Sequence, residues 1–222
     1  MKKYIKFLIK SNIVRILMYI IILSIGLIVL SILARKKVSF TEPSWEKGEW
    51  CEYKVNSSTM GEYTLRYVVL QKEKNMYWFE MVGVKDTSRF IYKMLVPYGF
   101  RGKAKRMIIK VNQQQAVELI NDPEGEPPGE NRPFLVKKEI VDKAKKKRVR
   151  VRTPAGEFEC WYVSTTDPKG SRVELWLSNE VPVFRIVKFR TLYEKGELIG
   201  WGTGAVSLIN EKPKIIDLSK FE

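Results

Sequence analysis

The run Arg148 to Thr165, RVRVRTPAGEFECWYVST, decides the fold. Arg148, Val149, Arg150, Val151 and Arg152 alternate with period two, which puts three guanidinium groups on one face of an extended strand and two valines on the other. Pro154-Ala155-Gly156 is a tight-turn sequence, and Glu157 to Thr165 resumes a strand composition rich in Phe, Trp, Tyr and Val. The same grammar recurs through the chain. Short runs of Val, Ile, Tyr, Trp and Phe, broken by Gly, Pro, Asn or Asp, predict strands at Gly48 to Val55, Glu62 to Gln71, Met76 to Val84, Phe90 to Val96 and Arg106 to Asn112. Further strands are predicted at Arg148 to Thr153, Glu157 to Thr165, Arg172 to Ser178, Val183 to Thr191 and Leu198 to Ser207. Linkers such as Glu73-Lys74-Asn75 and Asp167-Pro168-Lys169-Gly170 are too short for βαβ crossovers. The expectation is a mainly β protein: one meandering antiparallel sheet of about ten strands, with a short helix over Gln113 to Ile120 (QQQAVELI).

Composition narrows the chemistry. The 222 residues contain no histidine, so Ser-His-Asp and Cys-His hydrolases and His-ligated zinc are excluded. Two cysteines, Cys51 and Cys160, cannot make a structural zinc site unaided. A bridge closing a loop of about 110 residues, worth up to about 4–5 kcal/mol, and a pair of buried free thiols are both open readings for them. There is no P-loop, Rossmann fingerprint or EF-hand spacing. The Ser-Met-x-Pro pattern of a Ser-Lys signal peptidase is missing, Ser58-Thr59-Met60-Gly61 running in the wrong order. No two acids stand out as a glycosidase pair. No enzyme activity, cofactor or metal site is expected.

Residues Ile16 to Ala34 form an uncharged aliphatic run, ILMYIIILSIGLIVLSILA, long enough at ~1.5 Å per residue to cross the ~30 Å core of a bilayer once. Lys2, Lys3, Lys6, Lys10 and Arg15 precede it and Arg35, Lys36 and Lys37 follow, a bias toward a cytoplasmic N-terminus. The run exceeds the ~7–15 residues of a signal-peptide core, which favours an uncleaved anchor over cleavage. Cys51 follows Gly48-Glu49-Trp50, not a lipobox. The expected organisation is a basic cytoplasmic segment (1–15), a transmembrane helix (16–34), a linker (35–46), an extracytoplasmic β domain (47–210) and a C-terminal tail (211–222).

Of 40 Lys+Arg against 25 Asp+Glu, residues 1–37 hold eight cations and no acid, which leaves +7 for the rest. Lys137 to Arg152 alone carries nine cations and two acids. Lys145, Lys146, Lys147, Arg148, Arg150 and Arg152 are therefore candidates for contact with an anionic surface, where each cation adds about 1 kcal/mol near charged headgroups; a solvated edge strand that uses charge to block edge pairing is the plainer reading. Asn121 to Pro133 (NDPEGEPPGENRP), with four prolines and four acids, reads as a long loop, with a lid role as one reading. In Met76 to Val84 both faces are largely apolar, as expected when one meets a core and the other a ligand or covering element. Tyr77, Trp78, Phe79, Trp161, Trp176 and Phe184 are the candidates for lining a hydrophobic groove, ordinary core packing being the plainer reading of these aromatics.

Three stretches also carry a resemblance: Thr153 to Trp161 (TPAGEFECW), Val173 to Val183 (VELWLSNEVPV) with Gly200-Trp201-Gly202, and Trp45 to Tyr53 (WEKGEWCEY). They resemble the TapB-like group of extracytoplasmic bacterial proteins of unknown function, related in architecture to the LolA/LolB-like superfamily. That resemblance implies that the sheet is strongly curved, a LolA-like open half-barrel whose concave side takes lipid or acyl chains. The expectation is a single-pass membrane protein whose outer domain binds a lipid, lipoprotein or other hydrophobic ligand without chemistry. The alternative is a structural or scaffold envelope domain that packs on a protein partner. Nucleic acid is not an expected partner.

Overall fold

The computed structural model describes residues 40–100, 103–120, 146–166 and 170–218. The chain divides into two compact units, Met1–Phe40 and Thr41–Glu222, and the described residues after Phe40 belong to the second. The apolar run 16–34, the Pro-rich stretch 121–133 and the basic residues 137–145, Lys145 among them, lie outside the described residues. Among those described, no helix is long and apolar enough to cross a membrane.

Among the described residues, twelve strands form one curved open sheet: β1 (Trp50–Ser57), β2 (Gly61–Glu73), β3 (Met76–Lys85), β4 (Ser88–Pro97), β5 (Arg106–Val111), β6 (Val117–Ile120), β7 (Lys146–Thr153), β8 (Gly156–Thr166), β9 (Arg172–Leu177), β10 (Ile186–Arg190), β11 (Glu194–Gly202) and β12 (Lys214–Asp217). Their order is β12-β6-β5-β4-β3-β2-β1-β11-β10-β9-β8-β7. All neighbours are antiparallel except β12 and β6, which run parallel.

The alternation read from sequence becomes two faces. In β1 the buried set is Cys51, Tyr53, Val55 and Ser57. Register places Tyr67, Leu65 and Tyr63 of β2 opposite the first three, and Met81 and Phe79 of β3 opposite Tyr67 and Val69. These residues make the inner face. Bulges between Glu52 and Tyr53, Val69 and Gln71, and Ile186 and Lys188 add local twist. Across the inner face, over the intervening β11, the Tyr53 hydroxyl of β1 donates to the Ile186 carbonyl of β10 at 2.9 Å. The tip of the β7–β8 hairpin reaches β11, Ala155 N–H donating to Leu198 O at 3.4 Å. Tyr53, Phe79, Phe189, Leu175 and Leu198 are fully buried inside, each large aliphatic or aromatic side chain contributing about 1.5–3 kcal/mol.

The outer face of β2 to β5 is covered as well. After β11 the chain crosses it as a strap, and Ile209 joins a cluster with Val68, Leu70, Trp78, Val82, Ile91, Leu95, Ile108 and Ala116. The carboxylate of Glu80, fully buried, holds the strap: Ser207 Oγ donates to it at 2.7 Å and Leu208 N–H at 3.0 Å. Glu211 completes the attachment by pairing with Lys110 Nζ at 2.6 Å.

Four sequence expectations change. The strand expected at 198–207 runs from Glu194 to Gly202, and 203–207 belongs to the strap. No helix forms over 113–120; a turn leads into β6, because Val117–Ile120 finds strand partners on both sides and Glu118 pairs with Arg106 at 2.6 Å. The strand expected at 183–191 begins only at Ile186, since Val183 (φ 66°) and Arg185 (φ 64°) adopt left-handed backbone. Within 211–222, Lys214–Asp217 is a strand of the sheet.

Candidate functional site

The inner face is where a carrier-type half-barrel would hold a ligand, and here it is occupied by the protein's own aromatic side chains. Trp45 precedes β1 and its ring is 7% exposed. It lies 5.2 Å from Phe79 in a stacked arrangement, and 5.4, 5.2 and 5.3 Å from Tyr77, Tyr98 and Phe100 edge to face. Its indole N–H donates to Val183 O at 2.9 Å. Phe184 closes the cluster against Tyr67 (5.1 Å) and Phe79 (5.9 Å).

Backbone geometry explains how Trp45 arrives there. Gly48 N–H donates to Val69 O at 2.7 Å, and Gly48 O accepts from Ala205 N–H at 3.0 Å, so the start of the domain is tied between β2 and the strap. Gly48 has φ 84°, and a Cβ on it would lie 2.9 Å from Gly204 N; glycine is required on both counts. Tyr98 OH bonds the Pro43 carbonyl from the short helical turn Tyr98–Phe100. Opposite, Arg185 Nη1 donates to Asn179 O at 2.6 Å and Val181 O at 3.2 Å, holding the loop whose Val183 carbonyl receives the indole. A β-branched residue at positive φ is strained; here the Trp45 bond and the Arg185 bonds bracket it.

Of the six groove candidates, Tyr77, Phe79 and Phe184 meet in this cluster, and Trp161 shares their face through its register with Leu177. Trp78 and Trp176 do not: side chains alternate along β3 and β9, so Trp78 lies under the strap and Trp176 on the outer face against Tyr162, ring centroids 5.2 Å apart. Beside that pair, Glu174 accepts from Tyr162 OH and from Arg172 Nη2 at 2.9 Å, with Arg190 Nη1 at 3.5 Å.

Of the cationic candidates, Lys146 opens β7 and Lys147, Arg148, Arg150 and Arg152 are exposed. Register aligns Arg148, Arg150 and Arg152 with Trp161, Glu159 and Glu157. Arg148 lies over the Trp161 ring at 4.3 Å. Arg150 reaches Glu157 at 3.6 Å and Glu159 at 3.4 Å. The three arginines do share one face, but two glutamates share it with them.

Cys51 and Cys160 are buried free thiols, so the bridge between them is not made. Three strands, β11, β10 and β9, stand between their strands in the sheet. Burial pushes the Cys160 thiol up to about 12 and raises that of Cys51 further. Among the described residues no group of three or more acids or cysteines is arranged to hold a metal.

Sequence reasoning overlooked Trp45 as the occupant of the inner face, because it reads as the lead into a strand. It also overlooked a partly open apolar strip farther along that face. Register aligns Met81 with Tyr92 and Ile109, and Phe90 with Val111. All five are half-buried or exposed, Val111 at 42%. Alternation in β4 and β5 was the available signal.

No protein-family model matches the chain, and no curated protein does. Among solved structures it is similar to MucB in the Pseudomonas aeruginosa MucA/MucB complex, at TM-score 0.45 and 12% identity over 72% of this chain and 53% of that one. The chain thus spans about half the length of the MucB chain. It is also similar to the hypothetical protein CT021 of Chlamydia trachomatis (TM-score 0.39, 10% identity, 76% and 94% covered) and to an exported protein with YmcC-like fold from Bacteroides fragilis (TM-score 0.31, 12% identity, 73% and 99% covered). Every one of these scores lies below 0.5.

Proposed function

We propose that this chain is a non-catalytic binding domain whose ligand is a protein partner, with its inner face serving as a core. The observation that carries this reading is the filling of the concave side by Trp45, Phe79, Phe100 and Phe184. A shuttle for acyl chains needs that volume empty, and opening it would forfeit the burial of an indole and its hydrogen bond. The apolar run 16–34 supports a domain tethered to a membrane, with its β portion on the extracytoplasmic side.

A second reading, a hydrophobic ligand laid along the sheet, is favoured by the strip Met81, Phe90, Tyr92, Ile109 and Val111. Native mass spectrometry of the full chain released from neutral detergent, with organic extraction, separates the two. The protein-partner reading expects a bare mass that stays bare after incubation with phospholipids; a stoichiometric lipid adduct overturns it. Topology is tested separately by protease accessibility in intact cells, which should cleave sites beyond residue 40 from outside.

A further inference from the structure

We infer that the strap is a latch on Trp45: while it lies on the outer face the indole is locked into the inner face, and lifting it releases the indole. The filled concave side then has an opening device operated from the opposite side of the sheet. This goes beyond the protein-partner reading and does not depend on which partner is bound. The joint is the turn Glu46 to Glu49, which carries the chain from one face of the sheet to the other. It sets an indole on each side, Trp45 on the inner face and Trp50, by its register with Val68, against the outer cluster. Glu49 N–H donates to Glu46 O at 3.2 Å and Glu46 N–H to Glu49 Oε2 at 3.1 Å, so the turn moves as one piece.

Gly48 is clasped within that joint. Its N–H donates to Val69 O of β2 at 2.7 Å, and its carbonyl accepts from Ala205 N–H of the strap at 3.0 Å. Gly204 lies so close that a Cβ on Gly48 would fall 2.9 Å from Gly204 N. With β2 on one side and the strap on the other, the turn has no room to swing, and Trp45 leaves the inner face only if the turn swings. The strap is the weaker wall. Of residues 203–212 only Ile209 is buried, and Val206 is 76% exposed. Apart from Ile209 and the half-buried Ala205, its holds are polar: Glu80 accepts from Ser207 Oγ and Leu208 N–H, and Glu211 pairs with Lys110. A segment with one buried apolar anchor opens before the sheet does. Gly202 and Gly204 at its root, the latter at φ 78°, give it the freedom to lift.

The test is hydrogen exchange by NMR in the uniformly ¹⁵N-labelled full chain in neutral detergent. It compares the indole N–H of Trp45, assigned through W45F, with the backbone N–H of Val55, a fully buried residue paired on both sides by β2 and β11. In the parent the two should show similar protection. Ile209→Ala removes the buried anchor, and Ala205→Pro removes the donor to Gly48 O. Each should speed Trp45 exchange about tenfold or more relative to Val55. The ratio sets aside global destabilisation, which speeds both protons alike. Glu80→Gln, a milder loosening of the same strap, gives the reading if either variant leaves Val55 unprotected. An unchanged ratio of Trp45 to Val55 exchange overturns the inference, whether both protons speed together or the Leu208 amide of the strap exchanges quickly while Trp45 stays protected.

Discussion

Replacing Trp45 by alanine empties the centre of the inner face. The indole is 7% exposed, touches four aromatic rings at 5.2–5.4 Å and donates one hydrogen bond of 2.9 Å to Val183 O. Truncations of this kind cost about 3–5 kcal/mol; the ring-pair energies are part of that cost and do not add to it. For a domain of this size each kcal/mol moves Tm by about 2–4 °C, so W45A should melt about 6–20 °C below the parent. W45F keeps a ring but leaves Val183 O without its donor, at about 1–3 kcal/mol, and should fall between. The assay is thermal unfolding of the full chain followed by near-ultraviolet circular dichroism. Indole in the buffer should restore part of the W45A loss by refilling the cavity. A W45A shift below about 2 °C, or one that indole leaves unchanged, would refute the packed-interior reasoning.

Other perturbations separate the remaining parts of the account. Glu80→Ala strips the strap of its buried acceptor, leaving Ser207 Oγ and Leu208 N–H without it; a loss of about 2–4 kcal/mol and new protease cleavage within 203–213 are expected, with Glu80→Gln milder. A Cβ at Gly196 would fall 2.2 Å from the Phe189 ring, and one at Gly83 would fall 1.9 Å from the Phe90 ring. Phe189 is fully buried whereas Phe90 is half-exposed and can swing away, so denaturant titration should show Gly196→Ala costing about 1–3 kcal/mol and Gly83→Ala less. The raised thiol of Cys51 stays protonated in the fold while its unfolded counterpart ionises near pH 8.5, so the unfolded state binds fewer protons above that pH. Stability is therefore unaffected below about pH 8.5 and falls above it by up to about 1.4 kcal/mol per pH unit, a slope that Cys51→Ala should reduce in denaturant titrations at pH 8 to 10.

Ten of the strands were legible because their alternation is local: Cys51, Tyr53 and Val55, or Leu175 and Leu177, announce a buried face without reference to anything distant. What escaped depends on long-range pairing. Val117–Ile120 has helix-compatible residues and becomes a strand only because β5 and β12 flank it. Lys214–Asp217 lacks strong alternation and is recruited by β6 after the strap has crossed the sheet. The division of aromatics was half legible. Period two separates Tyr77 and Phe79 from Trp78, but nothing local says that both faces are covered, one by Trp45 and Phe184 and the other by Ile209. The cation stripe was legible in position but not in environment, since Glu157 and Glu159 join it only through the hairpin register.

Trp45 fills the concave side as a fixed part of the core. The direct measurement is hydrogen exchange of its indole N–H, resolved by NMR in the full chain with ¹⁵N-labelled tryptophan and assigned through W45F. A Trp45 ring fixed in the core should show protection close to that of global unfolding, unchanged by added phospholipid. Exchange at the rate of a solvent-exposed indole, or a resonance that moves on lipid addition, would contradict it.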